Sequence, residues 1–326
     1  MKITKQYKVP TGDILVVEGE KGPLELLSLG DYGREINLNQ NRSVPDGLPL
    51  MPLQEKWVLT ISTQYGCSMG CKFCDVPKVG SGKNTTLLDL QNEILVGLMT
   101  HPEVTSSERL NVHFARMGEP TWNPNVLDSA KWLKEHIYPE FNVHPVVSTM
   151  MPKNNIWLKT FIHNWMRIKN RLYFGNAGLQ LSINSTDENE RQEIFGGNAC
   201  TLEEIHHIME GILPVGREIT LNFAVANWQV EPKILLKYFN PQLYVIKLTP
   251  MHKTATAITN KIETVGDYTK PEPYQKLAED LKDAGYKVLT FIASEDEDLG
   301  RITCGNAILS GTKPERERKG ELVFLK

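Results

Sequence analysis

Trp57-Val-Leu-Thr-Ile-Ser62 runs almost directly into Cys67-Ser-Met-Gly-Cys71-Lys-Phe-Cys74, and the two stretches must be read together. The first is short, apolar and β-branched, the pattern of a buried strand. The three cysteines follow so closely that they fall on the loop at its carboxyl end. In α/β folds, chemistry gathers at that end of the strands. Further apolar runs stand at Leu110–Phe114, His144–Ser148, Gly178–Ile183, Glu218–Ala224, Leu243–Leu248 and Lys287–Ile292. Helical patterns lie between them at Thr86–Met99, Pro124–His136, Ile156–Ile168, Leu202–Ile212, Pro232–Phe239 and Pro271–Ala284. Six strands each followed by a helix predict parallel βαβ units with right-handed crossovers. The expected fold is α/β: a full or partial (β/α) barrel over residues 56–310, with an open doubly wound sheet as the alternative. Residues 1–55 carry short apolar runs broken by Gly and Pro, which predict a small β-rich lead-in, loosely structured near Asn37 to Pro52. Residues 311–326 hold a mixed-sign run, Lys313 to Lys319, that reads as a solvated tail.

The charge balance narrows the function classes. Lys and Arg number 36 against 39 Asp and Glu, a net charge of −3. A chain that grips folded nucleic acid usually shows a basic surplus that neutralises phosphates, and none is present. Stable RNA binding is therefore not expected. No run approaches the roughly 18 apolar residues of a membrane span, and Met1-Lys2-Ile3-Thr4-Lys5 lacks the apolar core of a signal peptide. A cytoplasmic protein without a membrane partner is the expectation. Five cysteines, three of them within eight residues, point to metal rather than disulfides.

Thiolates are the soft ligands that iron–sulfur clusters prefer, and three in eight residues can wrap three corners of a cube. No fourth cysteine lies near, the next being Cys200, so one iron stays open for a chelating ligand. A zinc knuckle lacking its fourth ligand is the alternative. Met117-Gly118-Glu119-Pro120 follows the second strand, where Gly118 permits close backbone approach and Glu119 complements an ammonium charge. Ser148 ends the third strand, Ser182 and Asn184 the fourth, and His252 follows the sixth at the same mouth. Each of these is also explained as a polar cap or a core side chain. Cys200 reads as a small buried residue, and Cys304 as either that or an active-site thiol.

The C-x3-C-x2-C spacing, with Phe73 before the last cysteine, resembles the radical S-adenosylmethionine (SAM) superfamily. With Gln64-Tyr-Gly before the motif, Met117–Pro120, Leu181-Ser-Ile-Asn184 and Cys304-Gly305, it looks like the RNA adenine methyltransferases of the RlmN and Cfr type. That resemblance implies a partial (β/α)6 radical SAM barrel. It implies a [4Fe–4S] cluster on Cys67, Cys71 and Cys74, SAM bound through Gly118, Glu119, Ser148, Ser182, Asn184 and His252, and an electron donor of flavodoxin or ferredoxin type. The family usually has His where Asn184 stands and Asn where His252 stands. It implies for Cys304 the role of the methyl-carrying cysteine, while the position of the family's resolving cysteine holds Thr60, which cannot form a disulfide. Among neighbouring groups the sequence looks most like the queuine-salvage lyases, which release queuine from queuosine or its 5′-phosphate. The expected substrate is then a small purine-like nucleoside or nucleobase, cut by radical chemistry begun by a 5′-deoxyadenosyl radical. Carboxylates suit the paired N–H donors of such a base, and Asp75 is one candidate. An adenine methyltransferase using Cys304 and a non-catalytic iron–sulfur nucleotide sensor are the competing readings.

Overall fold

The computed structural model describes residues 1–31, 50–267, 270–292 and 295–315. The loop expected near Asn37 to Pro52 lies mostly outside these residues, as does the tail beyond 315. Seven strands form the parallel sheet: β4 (Trp57–Ile61), β7 (Ser107–Phe114), β8 (Phe141–Thr149), β9 (Gly178–Ser182), β10 (Ile219–Val225), β11 (Tyr244–Pro250) and β12 (Lys287–Thr290). They stand side by side in chain order, every neighbouring pair parallel. Order along the chain equals order in the sheet because each crossover carries the chain one strand onward.

The seven strands coincide with the seven apolar runs, six of them followed by a helical segment, and the sheet does not close into a full barrel. The amino-terminal strands β1 (Lys2–Val9), β2 (Gly12–Gly19) and β3 (Gly22–Leu29) are an antiparallel meander. They extend the same ten-stranded sheet, because β3 pairs antiparallel with β4, Leu27 opposite Thr60. The lead-in is thus hydrogen-bonded to the first parallel strand across the 55/56 boundary.

The helices start where the sequence signals them. Helix α1 (Leu87–Leu98) opens on a capping box, with Thr86 accepting from the Asp89 N–H while the Asp89 carboxylate accepts from the Thr86 N–H. It buries Leu90 and Ile94 against the sheet. Helices α2 (Asn125–His136), α3 (Leu158–Arg167), α4 (Glu188–Ile194), α5 (Leu202–Met209), α6 (Pro232–Tyr238), α7 (Ala255–Thr259), α8 (Glu272–Asp283) and α9 (Glu295–Leu299) follow. Among the described residues no helix is long and apolar enough to cross a membrane.

Both faces of a parallel sheet are usually apolar. Here the strand positions facing away from the helices carry Thr60, His113, Ser148, Gln180, Ser182, Asn222, Lys247 and Thr249, all around one cavity. In register, Thr60 stands beside His113, and Ser182, Asn222 and Lys247 form a row across β9, β10 and β11. A polar belt inside an otherwise apolar sheet places the site.

Candidate active site

The cysteine loop is clasped by a two-stranded ribbon absent from the sequence reading, β5 (Gln64–Gly66) and β6 (Ser81–Asn84). Gly66 has φ 79° and Gly82 φ 85°. A Cβ on Gly66 would stand 2.2 Å from the Gly80 carbonyl oxygen, and one on Gly82 2.2 Å from the Ser68 nitrogen. Only glycine closes the ribbon that tightly. On its other side the loop is tied to the end of the sheet. Thr254 donates to the Phe73 carbonyl at 2.6 Å, Asn260 to the Lys72 carbonyl at 2.7 Å, and the Asp75 N–H to the Gly305 carbonyl at 2.8 Å. The Asp75 carboxylate accepts from the Ala255 and Thr256 N–H groups, the Thr256 hydroxyl and Lys78. Burial would raise its pKa, but the bonds from Thr256 and Lys78 win and hold it below the usual carboxylate range. Asp75 therefore caps α7 and is not free to read a base.

The three thiols are held up by the same physics. Burial, against which the Met69 N–H bond works, pushes the Cys67 thiol up to about 11. Burial and then the neighbouring cysteines push up Cys71 and Cys74. Three mutually repelling sulfurs in a dry site ionise only around a cation, and thiolate is the form iron takes. Among the described residues no three His, Cys, Asp or Glu side chains converge on a single ion. Three soft donors spread along one loop fit the corners of an iron–sulfur cube better than a zinc knuckle.

Gly118 has φ 95°, and a Cβ there would stand 2.5 Å from the Gln64 side chain. Glu119 is buried beside it. Its Oε1 accepts from the Thr121 N–H and hydroxyl, and Oε2 from the Met150 N–H at 3.0 Å. Burial raises the Glu119 pKa against these bonds. Ser148, Ser182, His252 and Cys304 all line the cavity, about 250 Å³ in volume. His252 Nδ1 stands 3.4 Å from Asp298, whose carboxylate also takes the Thr303 hydroxyl. Asn184 behaves differently: it is buried with φ 61°, and its Oδ1 accepts from the Ala224 N–H at 2.9 Å, outside the cavity lining. Cys200 is buried in the main core, as expected of a small structural residue.

Cys304 opens into the cavity, across which Thr60 also faces. Burial pushes the Cys304 thiol up, and Lys247 and Arg116 draw it partway back. Four cavity residues escaped the sequence reading: His113, Arg116, Lys247 and Glu297. Burial and surrounding cations depress His113 to about 3, so its imidazole is neutral near pH 7. Arg116 forms a buried ion pair with Glu25 of β3. For Lys247 a signal was present, as a charge at a strand position flanked by apolar ones in Ile246-Lys247-Leu248; for the others there was no such signal.

An RNA methyltransferase named RlmN from Sorangium cellulosum is 26% identical over 267 residues, 79% of this chain and 63% of that protein. The Cfr methyltransferase from Lachnoclostridium phytofermentans is 26% identical over 170 residues, 51% of this chain and 45% of that protein. The chain thus spans less than two thirds of the length of these curated relatives. A radical SAM methyltransferase of known structure from Sphaerobacter thermophilus superposes with a TM-score of 0.67 at 16% identity, over 94% of this chain and 80% of that one, which shows a shared fold. The chain is thus similar to radical SAM methyltransferases of the RlmN/Cfr-like branch. No family model matches it. Radical SAM enzymes of this branch work with a [4Fe–4S] cluster and SAM. In this chain the cysteine loop, the Gly118–Glu119 corner and the polar cavity lie at one end of the sheet.

Proposed function

We propose that Cys67, Cys71 and Cys74 hold the cluster, that Gly118, Glu119, Ser148, Ser182 and His252 surround SAM, and that the enzyme is a lyase. Its substrate in this reading is a small 7-deazaguanine-type nucleoside, with queuine released from queuosine or its 5′-phosphate. When bound, the cluster and SAM supply a carbon radical able to abstract hydrogen from an unactivated C–H bond. The chain's residues do the rest. The polar belt orients the substrate, Glu297 is the one cavity-lining carboxylate among the described residues able to accept the base's N–H donors, and the apolar sheet behind excludes water.

One observation carries the choice of lyase. Methyl transfer of the RlmN and Cfr type needs a second thiol to release its adduct, and the cavity wall facing Cys304 offers the hydroxyl of Thr60. The net charge of −3 agrees with a small substrate. The reduced, anaerobically reconstituted enzyme given SAM and queuosine or its 5′-phosphate should release queuine and form 5′-deoxyadenosine, both read by mass spectrometry. Absence of queuine with either substrate overturns the lyase.

A second reading, RNA adenine methylation through Cys304, is favoured by the names of the relatives and by the thiol's place in the cavity. It requires S-methylcysteine at position 304 of the purified chain, together with methylation of an RNA adenine.

A further inference from the structure

Lys247 is a cation with no ion-pair partner among the described residues. It sits in the middle of β11, in register with Asn222 of β10, with its side chain on the cavity wall. Its Nζ lies 4.9 Å from the centre of the Phe291 ring, and it makes neither an ion pair nor a side-chain hydrogen bond among the described residues. The other cavity cation, Arg116, is already neutralised: Glu25 takes its guanidinium in a buried pair, and its Nη2 also donates to the Arg301 carbonyl. His113 carries no charge near pH 7. Burial lowers the Lys247 pKa while Cys304 and Glu297 in the same cavity act the other way, and Lys247 forms no ion pair with Glu297. One ammonium without an ion pair among the described residues therefore faces the cavity. A half-buried lysine with its ammonium near an aromatic ring, in a wall that also carries the hydrogen-bonding groups of Gln180, Ser182 and Asn222, offers an anionic oxygen a charge-assisted bond.

We propose that Lys247 is a specificity-determining residue that anchors an anionic oxygen of the substrate, a phosphate or carboxylate group, at the Asn222 level of the cavity. The inference deepens the reading of this cavity as the substrate site and rests on it. A carboxylate could also come from SAM. Lys247 shares a register row with Asn222 and with Ser182, itself a proposed SAM contact, so SAM binding is measured beside substrate binding to tell the two sources apart.

The test is equilibrium binding of guanosine 5′-monophosphate and guanosine to the reconstituted enzyme, with and without SAM, beside SAM binding alone. A charge-assisted bond in a half-buried site makes the phosphorylated probe bind about 10-fold to 100-fold more tightly. K247M should bring guanosine 5′-monophosphate down to the affinity of guanosine, K247R should restore most of the difference, and SAM affinity should stay as in the parent. Melting curves identify a variant that fails to fold, and K247Q then takes its place. Equal binding of the two probes by the parent, or a preference that survives K247M and K247Q, overturns the proposal. A tenfold loss of SAM affinity in the variants overturns it too, by assigning the ammonium to the cofactor. If phosphate preference depends on Lys247 but no queuine is ever released, the lyase reading fails and the anchor stands.

Discussion

Glu25 and Arg116 show what a single buried pair does for this site. Both side chains are almost fully buried, and Glu25 Oε2 also accepts from the Leu309 N–H at 3.1 Å. The pair therefore links β3, the segment after β7 and the chain beyond Cys304. Removing one partner leaves a charge buried and unpaired, so E25Q should lose about 3 kcal/mol of stability, read by denaturant unfolding. Arg116 would also become a second unmatched cation beside Lys247. His113 supplies a pH dependence with a definite sign. Its folded pKa of about 3 lies below the ordinary imidazole value of 6.5, so the unfolded chain binds the extra proton between these limits. This contribution to stability is complete above pH 6.5 and is lost as the pH falls toward 3, by at most about 1.4 kcal/mol per unit. H113Q should flatten the acid limb of the stability profile across that window. An unchanged slope would place the effect elsewhere. None of these partners was legible from the sequence, where Glu25 and Arg116 lie far apart and an isolated His carries no pattern.

The ribbon of β5 and β6 decides whether the cysteine loop holds its shape. Gly82 adopts a left-handed φ and packs onto the Ser68 backbone. A side chain there costs about 1–2 kcal/mol for the backbone conformation alone, before the clash. G82A should keep its far-ultraviolet circular dichroism yet retain much less iron and sulfide after anaerobic reconstitution. Full cluster retention would show that the ribbon is dispensable. The strands and longer helices were readable in advance because their apolar periods are strong and their caps explicit, as at Thr86 and Asp89. The ribbon was not, because Ser81-Gly-Lys-Asn84 has no alternation, and its pairing with Gln64–Gly66 needs the glycines that let the two backbones approach. The same applies to α7, whose start depends on Asp75, a residue 180 positions from Ala255 in sequence.

The ten-stranded sheet makes the amino-terminal meander part of the same body as the site. Leu15, Val17, Leu24 and Leu26 are completely buried in the main core with Trp57, Leu59 and Ile61. Burial of each such side chain contributes about 1.5–3 kcal/mol. A chain beginning at residue 56 would expose that core and leave β4 as a long bare edge open to pairing with other chains. It should aggregate on expression, whereas a soluble, cooperatively melting truncation would show that the parallel sheet folds alone. The open sheet has a further consequence for substrate size. In the proposed lyase reading, the cavity of about 250 Å³ is the space that takes the nucleotide-sized substrate.

Read along the chain, the run of apolar strands specified the α/β sheet, and three closely spaced thiols with the Gly-Glu-Pro turn one strand later pointed to iron–sulfur radical chemistry. Those features are local: ligand spacing and strand periodicity are properties of neighbours in sequence. The neutralisation of Arg116 by Glu25, the withdrawal of Asp75 and Asn184 into backbone bonds, and the exposure of Lys247 beside Cys304 and Thr60 came only with the folded chain. They depend on which distant groups are buried together, and burial is what turns an ordinary side chain into a paired, neutral or unmatched one.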